Sequence, residues 1–593
     1  MKNITLLGLL VALVCATAAC GDDVSRDDGQ VKGEDPVQID GALDTAVDVG
    51  PDASVDAPAD GPPTDSGDDL IEVQPDTSVD TVPPPDSDVT APAVKSTDPM
   101  SNQTGVVLSS AVKAVFTEPI DPATVTAASF TLFTGPVPIP GVVTAAGDTA
   151  TLTPSRALCP LRQYTATLKQ SITDLAQNAL AADYIWSFTT GDGAWGAPAM
   201  APQDARGVRV AMAENGDAFV MWEYGQPPHI YAARYDGGTS KWGTPQQLDA
   251  ATTNTFVGGI AADALGNAVA VWSEASQTDI VGARYDATSK TWSSPLALDS
   301  ASGFASEPAV AMSAAGTAMV VFQQDLTTNT SAMYYNFYDG TSWSGQQPIP
   351  DPGTRPYIYP RVASDGIGNF YASWPDDIGT VYALRATRFD GTSKTWATTS
   401  TALASSVNAF YHDLAAGPAG AFAAWVQRPT TSYEVAASRY SASAWSAATK
   451  ISGTATNFAE RPSVATDLAG NALVVWQQGG PVYASRYDVT TTSWSATPST
   501  LAATGSQPAV VMDAAGNGVA AWGEDVTSGQ RVRAARYLAA TKAFGTSAFI
   551  APARTGYLWE PMAMAMNACG QAAAIIQYSN EGPFDPPDYL LFR

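Results

Sequence analysis

Two series of aromatic residues recur about every 50 residues through the C-terminal two-thirds of this 593-residue chain. The first series has Trp at six of its eight positions: Trp222, Trp272, Phe322, Trp374, Trp425, Trp476, Trp522 and Ile576. The second runs in step about 20 residues later: Trp195, Trp242, Trp292, Trp343, Trp396, Trp445, Trp494 and Phe544. A fixed period of this size is typical of repeated structural units that pack into one body.

Each repeat contains four short segments with the alternating pattern of β-strands. In one unit they are the two halves of RPSVATDLAGNALVVWQQ, then PVYASRYD, then TTTSWSATPSTL. The first two are joined by an Asp-x-x-Gly-Asn turn, in which Gly adopts positive φ and Asp and Asn bond to the local backbone. Four-stranded repeats of this kind predict a β-propeller over residues 193–593.

The two ends of the repeat region are incomplete in a complementary way. The segment from Trp195 to Pro198 matches a fourth strand without the first three, and the unit from Glu560 to Arg593 has three strands without a fourth. We expect the opening strand to complete the last blade, which closes the ring and removes exposed sheet edges. The count is then eight blades, with seven as the alternative if one divergent unit forms no blade.

Residues 91–192 predict a separate all-β domain, because short alternating strands are separated there by Pro and Gly turns. About seven strands in about 100 residues suit an Ig-like sandwich. STDPMSNQTGV, VFTEPIDPATV and DLAQNALAADYIWSFTTG resemble the bacterial Ig-like domain of surface-layer and other exported proteins. The resemblance implies a spacer or a weak surface-binding module without catalytic residues.

The N-terminus has the features of an export signal followed by a tether. Residues 1–19 combine a Lys with a short apolar segment, and TAAC at 17–20 resembles a bacterial lipoprotein box with lipidation at Cys20. Ordinary secretion without a lipid is the alternative. Residues 20–90 are predicted to be disordered, since 20 acidic and two basic residues lie between Gly21 and Thr90 without an aromatic.

Cysteine and histidine are scarce in the rest of the chain. Cys159 and Cys569 lie one in each predicted domain, and either a disulfide or two free thiols is compatible with the sequence. His229 and His412 are the only histidines, so neither a His-based metal site nor a Ser-His-Asp triad is indicated. We predict no cofactor and no metal, and the lack of a basic patch argues against a nucleic-acid partner.

The turn between the third and fourth strands, as in YDATSKTW and FDGTSKTW, resembles the Asp-box of sialidase-type propellers. The spacing from Asp286 to Trp292 is one residue longer than in that motif. Because the Asp-box is a fold element remote from the active site, the resemblance implies a related fold rather than sialoside hydrolysis.

One pattern suggests a binding site. Polar residues stand two positions after the first aromatic series: Glu274, Gln324, Asp376, Gln427, Gln478 and Glu524. The connections that lead into each blade leave from the same end and contain Tyr357, Tyr411 and Trp559. Aromatic rings beside amides and carboxylates suit a shallow site for a sugar or a peptide. Alternatively, the polar residues only end the strands and the aromatics fill gaps between blades.

These features together predict a lipoprotein of the cell envelope, in the outer membrane or at the cell surface. Its non-catalytic propeller would bind a glycan or a surface protein. A glycan-cleaving enzyme related to sialidases or polysaccharide lyases, and a structural envelope protein, are the alternatives. Carboxylates clustered around the central channel would favour the enzyme.

Overall fold

The computed structural model describes residues 88–593 except 198, 201–204, 251–253, 275–278, 301–302, 328–329, 351–358, 455–456, 528, 555–556, 559–561 and 580–587. The predicted signal, Cys20 and residues 20–87 of the tether lie outside this range. In the described part the structure contains no helix long and apolar enough to cross a membrane.

The first domain is a sandwich of two four-stranded sheets, in the orders β1-β2-β6-β5 and β4-β3-β7-β8. Its strands are β1 (Val94–Asp98), β2 (Val112–Phe116), β3 (Phe130–Thr134), β4 (Val137–Pro138), β5 (Gly141–Ala146), β6 (Thr149–Pro154), β7 (Gln163–Leu168) and β8 (Tyr184–Thr189). A 3₁₀ turn, Pro122–Thr124, begins after the capping residue Asp121. Phe116, Phe130, Tyr164 and Phe188 fill the core between the sheets.

The domain starts slightly earlier than the sequence predicted. Asp88 and Thr90 were assigned to the tether, but the Asn178 side chain donates a hydrogen bond to the Asp88 carbonyl oxygen (2.9 Å). Asp88 also accepts one from the Thr90 backbone N–H (2.9 Å). The composition change at residue 90 therefore lies a few residues inside the folded domain.

Eight antiparallel sheets follow, which we call blades 1 to 8. The strands of blades 1 to 4 are, by blade, β10 (Arg206–Met212), β11 (Ala218–Tyr224), β12 (His229–Asp236), β13 (Lys241–Trp242), β14 (Gln246–Gln247); β15 (Phe256–Ala262), β16 (Ala268–Glu274), β17 (Asp279–Asp286), β18 (Thr291–Trp292), β19 (Leu296–Ala297); β20 (Ala305–Met312), β21 (Ala318–Thr327), β22 (Thr330–Tyr338), β23 (Gln347–Pro348); β24 (Arg361–Ser364), β25 (Phe370–Asp377), β26 (Tyr382–Asp390), β27 (Thr395–Trp396), β28 (Thr401–Ala404).

The strands of blades 5 to 8 are, by blade, β29 (Asn408–Gly417), β30 (Gly420–Arg428), β31 (Glu434–Ser441), β32 (Ala444–Trp445), β33 (Thr449–Lys450); β34 (Ala459–Thr466), β35 (Ala472–Gln478), β36 (Val482–Asp488), β37 (Ser493–Trp494), β38 (Ser499–Ala502); β39 (Ser506–Met512), β40 (Gly518–Val526), β41 (Gly529–Leu538), β42 (Ala543–Phe544), β43 (Ala548–Phe549); β45 (Ala563–Met566), β46 (Ala572–Ile576), β48 (Asp588–Phe592) and β9 (Ala199–Met200). β44 (Tyr557–Leu558) and β47 (Tyr578–Ser579) form a small separate pair.

The blades are arranged as a closed ring, which makes this region a β-propeller. The first strands of successive blades contact one another, including those of blades 8 and 1, so they form the inner wall. An apolar cluster fills each space between neighbours, and the one between blades 8 and 1 contains Trp222, Ile575 and Tyr589. β48 pairs with β9, Asp588 with Met200, so both ends of the domain share one sheet.

The first aromatic series fills these spaces between blades. All six of its Trp side chains are fully buried, as is Phe322 in blade 3. Trp272, for example, packs with Phe219 and Met221 of the preceding blade. A buried ring of this size removes about 150–250 Å² from water, which stabilises the fold by several kcal/mol at about 25 cal/mol per Å².

The two ends of the ring differ in what they contain. The Asp-x-x-Gly-Asn turns lie at one end; in blade 2 the Asn267 backbone N–H and side-chain amide both donate to the Asp263 carboxylate (2.8 and 2.6 Å). The first strands begin at the other end, where the second strand of each blade also ends. We call this end the mouth.

The Ig-like domain is attached to the turn end. A disulfide joins Cys159 to Cys569, which follows the first strand of blade 8. Arg162 donates to the Ala568 carbonyl oxygen (2.8 Å), and Arg536 of blade 7 pairs with Asp192 (3.3 Å). The mouth therefore lies at the opposite end of the ring from these contacts.

Candidate functional site

A β-bulge interrupts the first strand of most blades close to its start. In blades 1, 3, 6 and 7 two residues of the first strand lie opposite the single aromatic-slot residue of the second strand, so each of these first strands contains one extra residue. In blade 5 the one extra residue precedes the residue that pairs with the aromatic slot. In each of these blades the first residue of the bulge has positive φ, and in blade 4 the equivalent residue precedes the strand. These residues are Gly207, Glu307, Tyr359, Tyr411, Arg461 and Gln507, with φ of 59°, 55°, 73°, 34°, 50° and 52°.

Five of the six bulge residues are not glycine, although the conformation favours glycine. An L-residue in this region costs about 1–3 kcal/mol. Gly207 shows that the same bulge forms around glycine in blade 1. Glu307, Arg461 and Gln507 are each followed by Pro, which normally favours extended backbone in the residue before it. Glycine at these positions would avoid the backbone strain. The presence of large polar residues there instead indicates a role for their side chains.

Charged side chains on the inner strands of several blades interact electrostatically near the mouth of the ring. Arg361, the first residue of β24, interacts electrostatically with Asp413 of blade 5, Glu307 of blade 3 and Arg209 of blade 1. Blade 1 lies three blades from blade 4, so an interaction between their arginines crosses the channel. Arg361 retains contact with solvent, yet desolvation by the surrounding protein lowers its pKa, and Arg209 lowers it further.

The neighbouring blades contribute an aromatic and cationic pair. The guanidinium carbon of Arg461 lies 5.9 Å from the centroid of the Tyr411 ring, within the range of a cation–π contact. Tyr411 and Tyr359 are each 41% exposed. Arg461 Nε and Gln507 Oε1 have no hydrogen-bond partner among the described residues. We call Glu307, Tyr359, Arg361, Tyr411, Arg461 and Gln507 the mouth cluster.

His412 and Asp413 support the inner wall next to this cluster. Burial, together with the charge of Arg361, lowers the pKa of His412 to about 3, so the imidazole is neutral. Burial raises the pKa of Asp413, against the opposing effect of Arg361. Its carboxylate accepts a hydrogen bond from the Val464 backbone N–H (2.9 Å), which joins the inner strands of blades 5 and 6.

The six polar residues predicted to form a binding ring lie at the mouth end of the second strands, but their polar atoms are used within the fold. Glu274, Gln427 and Gln478 accept hydrogen bonds from the indole N–H of Trp272, Trp425 and Trp476 at 2.8, 3.0 and 3.3 Å. Their role in ligand binding stays a prediction.

The other three also have internal partners. The Asp376 carboxylate binds Arg385 (2.5 Å), and Glu524 pairs with Arg533. The amide of Gln324 lies 3.4 Å from the carbonyl oxygens of Phe304 and Asp325. Gln324, Asp376 and Gln478 are almost fully buried, so the alternative of a strand-ending role agrees best with these contacts.

Among the predicted aromatic site residues, Tyr411 belongs to the mouth cluster, whereas Tyr357 and Trp559 lie outside the described residues. Sequence reasoning missed Glu307, Arg361, Arg461 and Gln507, because the residue type at these first-strand positions differs from blade to blade. A signal was present: in four repeats Pro follows the bulge position, at Pro308, Pro360, Pro462 and Pro508.

Two features elsewhere on the molecule bear on ligand binding. Carboxylate oxygens of Asp88, Glu118 and Asp174 in the Ig-like domain lie within 4.8 Å of one another. An open cavity of about 340 Å³ lies between blades 6 and 7 beside Arg486 and Lys542. Both of these cations already bind Asp488 (2.7 and 2.8 Å), so the cavity offers less unpaired charge than the mouth.

Comparisons with known proteins give one family match and several distant structural similarities. Residues 88–190 match the family model of the bacterial Ig-like domain. No curated protein is similar in sequence to the chain. Among solved structures, the Dos1 propeller has 9% identity and a TM-score of 0.42, covering 68% of this chain and 94% of its own.

Two further structures are similar at the same distant level. A polysaccharide lyase of family PL25, an ulvan lyase, has 12% identity and a TM-score of 0.36, covering 58% of this chain and 91% of its own. The fucose-binding lectin of Aleuria aurantia, a six-bladed β-propeller, has 14% identity and a TM-score of 0.29, covering 50% and 96%. The strand topology and the family match together establish an all-β chain with a bacterial Ig-like domain at residues 88–190, followed by a β-propeller.

Proposed function

We propose that this chain is an exported lipoprotein whose propeller binds an extracellular glycan at the mouth of its central channel, without cleaving it. The observation that supports this most directly is the series of strained, non-glycine bulge residues on five successive inner strands. Because the equivalent position in blade 1 is Gly207, the fold itself does not require these side chains.

The chemistry of the mouth cluster suits a sugar chain. Tyr359 and Tyr411 are partly exposed on adjacent blades, so their rings can stack on the apolar faces of sugar rings. The amide of Gln507 and the guanidinium of Arg461 supply hydrogen bonds to hydroxyl groups. A few oriented polar groups beside aromatic surfaces are typical of small-ligand sites.

A glycan array tests the binding role. The full chain with Cys20→Ala is compared with the same chain carrying Tyr359→Ala or Tyr411→Ala. Tyr184→Ala is the matched control, since Tyr184 is 36% exposed but lies in the Ig-like domain. We expect both mouth variants to lose binding at least tenfold and the control to retain it. Unchanged binding by the mouth variants would exclude this site.

A glycan-cleaving enzyme is the second candidate, favoured by one observation. Two carboxylates of the channel, Glu307 and Asp413, both interact with Arg361, and a carboxylate pair is a common arrangement for glycoside hydrolysis. Asp413, however, already accepts the Val464 hydrogen bond of the wall. Incubation of the bound glycan with the protein, followed by a reducing-end assay, distinguishes the two: new ends would establish cleavage.

The lipid anchor is tested separately by fractionation. Expression of the full chain in a bacterium is expected to place it in the membrane fraction, and Cys20→Ala is expected to shift it to the soluble exported fraction. A Cys20→Ala protein that still fractionates with membranes would argue against lipidation at this residue.

A further inference from the structure

We infer that the glycan bound at the mouth is acidic, and that Arg361 and Arg461 bind its carboxylate or sulfate groups. This inference rests on the proposed glycan-binding function and specifies its ligand class. It starts from a comparison of which arginines of the propeller have an acidic partner and which do not.

Most other arginines of the blades have an acidic partner close by. Those with an ion pair at 3.0 Å or less are Arg234 with Asp217, Arg385 with Asp376, Arg388 with Asp390, Arg486 with Asp488, Arg533 with Glu524 and Arg554 with Asp588. The chain has 58 acidic residues against 30 basic ones, so carboxylates are plentiful. Arg428, Arg439, Arg531 and Arg593 also lack an acidic partner within 4.0 Å among the described residues, but Arg361 and Arg461 differ from these four because they lie on first strands, at the inner wall of the ring.

Arg361 has no carboxylate within 4.0 Å among the described residues, and its one direct hydrogen bond goes from Nη1 to the Pro360 carbonyl oxygen (3.3 Å). Asp413 lies nearby, but its carboxylate accepts the Val464 N–H. Desolvation and the charge of Arg209 lower the pKa of Arg361, while Asp413, Glu307 and Tyr359 act in the opposite direction without reversing the shift. An anionic group in the channel would relieve both unfavourable effects.

Arg461, two blades away from Arg361, is also without an ion pair among the described residues. No carboxylate lies within 4.0 Å of its guanidinium in the described part of the chain, and its buried Nε has no hydrogen-bond partner there. The guanidinium carbon lies 5.9 Å from the centroid of the Tyr411 ring. Strained backbone holds this residue in place. A guanidinium with free donors binds carboxylate and sulfate oxygens in a planar, two-point arrangement.

The arrangement indicates a chain rather than a single sugar. Arg361 belongs to blade 4 and Arg461 to blade 6, with Tyr411 of blade 5 between them. A polymer with a charged group on successive or alternate residues would contact both cations and stack on the intervening ring. Acidic polysaccharides, whether uronates or sulfated chains, have this character.

Isothermal titration calorimetry with matched polymers tests the inference. The full chain with Cys20→Ala is titrated with polygalacturonate and its methyl ester, and with dextran sulfate and dextran. We expect binding to at least one acidic polymer and at least tenfold weaker binding to its neutral counterpart. Which acidic polymer binds separates carboxylate from sulfate recognition.

Variants then test whether Arg361 and Arg461 are the residues that bind the acidic groups of the polymer. Arg361→Gln and Arg461→Gln are each expected to weaken acidic binding about tenfold or more, since hydrogen bonds between charged groups are stronger than those between neutral groups. Arg388→Gln is the matched control, because Arg388 is already paired with Asp390 (2.9 Å) away from the mouth, and it should bind as the parent does.

The outcomes separate the two proposals. Equal binding of acidic and neutral polymers, with Tyr411→Ala defective and both Arg variants intact, would overturn the acidic ligand and keep the glycan site. Acidic binding that persists in Arg361→Gln, Arg461→Gln and both Tyr variants would overturn both. Absence of binding to all four polymers, together with a blank glycan array, would also overturn both.

Discussion

Removal of the disulfide between Cys159 and Cys569 should weaken the attachment of the Ig-like domain to the propeller. The bond closes a loop with a sequence separation of 410 residues. In the chain-entropy model a loop of this length corresponds to at most about 6 kcal/mol of stabilisation. The measured loss should be smaller, about 2–4 kcal/mol, because each domain retains its own core and native disulfides rarely reach the model limit.

The perturbation is the double substitution Cys159→Ser and Cys569→Ser, compared with the parent chain by guanidinium unfolding under oxidising conditions. Both chains carry Cys20→Ala. Since most tryptophans lie in the propeller, their fluorescence reports chiefly on that domain. We expect a lower unfolding midpoint in the variant, with most of the loss reproduced in the parent chain by adding a thiol reductant. Adding the reductant should not change the unfolding midpoint of the variant.

Two results would refute this reasoning. A thiol assay that finds both cysteines free in the purified, oxidised parent chain would mean that the bond does not form. Equal midpoints for parent and variant, with the cysteines shown to be oxidised, would mean that the remaining contacts of Arg162 and Arg536 hold the junction without covalent help.

Three further predictions follow from single positions. Trp476→Ala should cost about 3–5 kcal/mol of stability by thermal unfolding, and Trp476→Phe clearly less, because Phe322 fills the same slot in blade 3; equal losses would contradict this packing. The pKa of His412 is about 3 in the fold against an ordinary 6.5, so stability present above pH 6.5 should fall towards pH 3. His412→Gln should reduce that slope by about 1.4 kcal/mol per pH unit, and an unchanged slope would mean that His412 titrates normally. Gln507→Gly should be about 1 kcal/mol more stable than Gln507→Ala, since only the latter keeps a side chain at positive φ; identical stabilities would show an unstrained bulge.

The fold followed from the sequence because its determinants are repeated and local. A Trp such as Trp272 at a constant distance after a Gly-Asn turn specifies strand, turn and buried face together, so the pattern survives substitution at single positions such as Phe322. The pairing of the opening strand with the C-terminal strand followed from counting strands. The disulfide did not follow, because two cysteines 410 residues apart are compatible with either state.

The site was harder to predict because it depends on backbone geometry. The bulge turns residues such as Glu307 and Arg461 to positive φ, and nothing in an alternating apolar pattern signals an extra residue. Gln478 shows a second difficulty, and its role in ligand binding stays a prediction. A polar residue at a repeated position suggested a solvent-facing ring, but its amide bonds the Trp476 indole and the Asn457 carbonyl oxygen between blades. Sequence spacing alone could not distinguish a polar side chain that faces solvent from one that forms hydrogen bonds inside the fold.

Closure of the ring through β9 and β48 has a consequence for how the chain reaches its final state. Each blade can assemble from neighbouring segments of the chain, but the pairing of Met200 with Asp588 must wait until β48 has been synthesised. Contacts between such distant residues form slowly, since a long loop must close before they contribute stability. Until then the final blade presents an unpaired strand edge, which is prone to associate with other chains. A newly made molecule is therefore exposed to such association until β48 (Asp588–Phe592) has paired with β9.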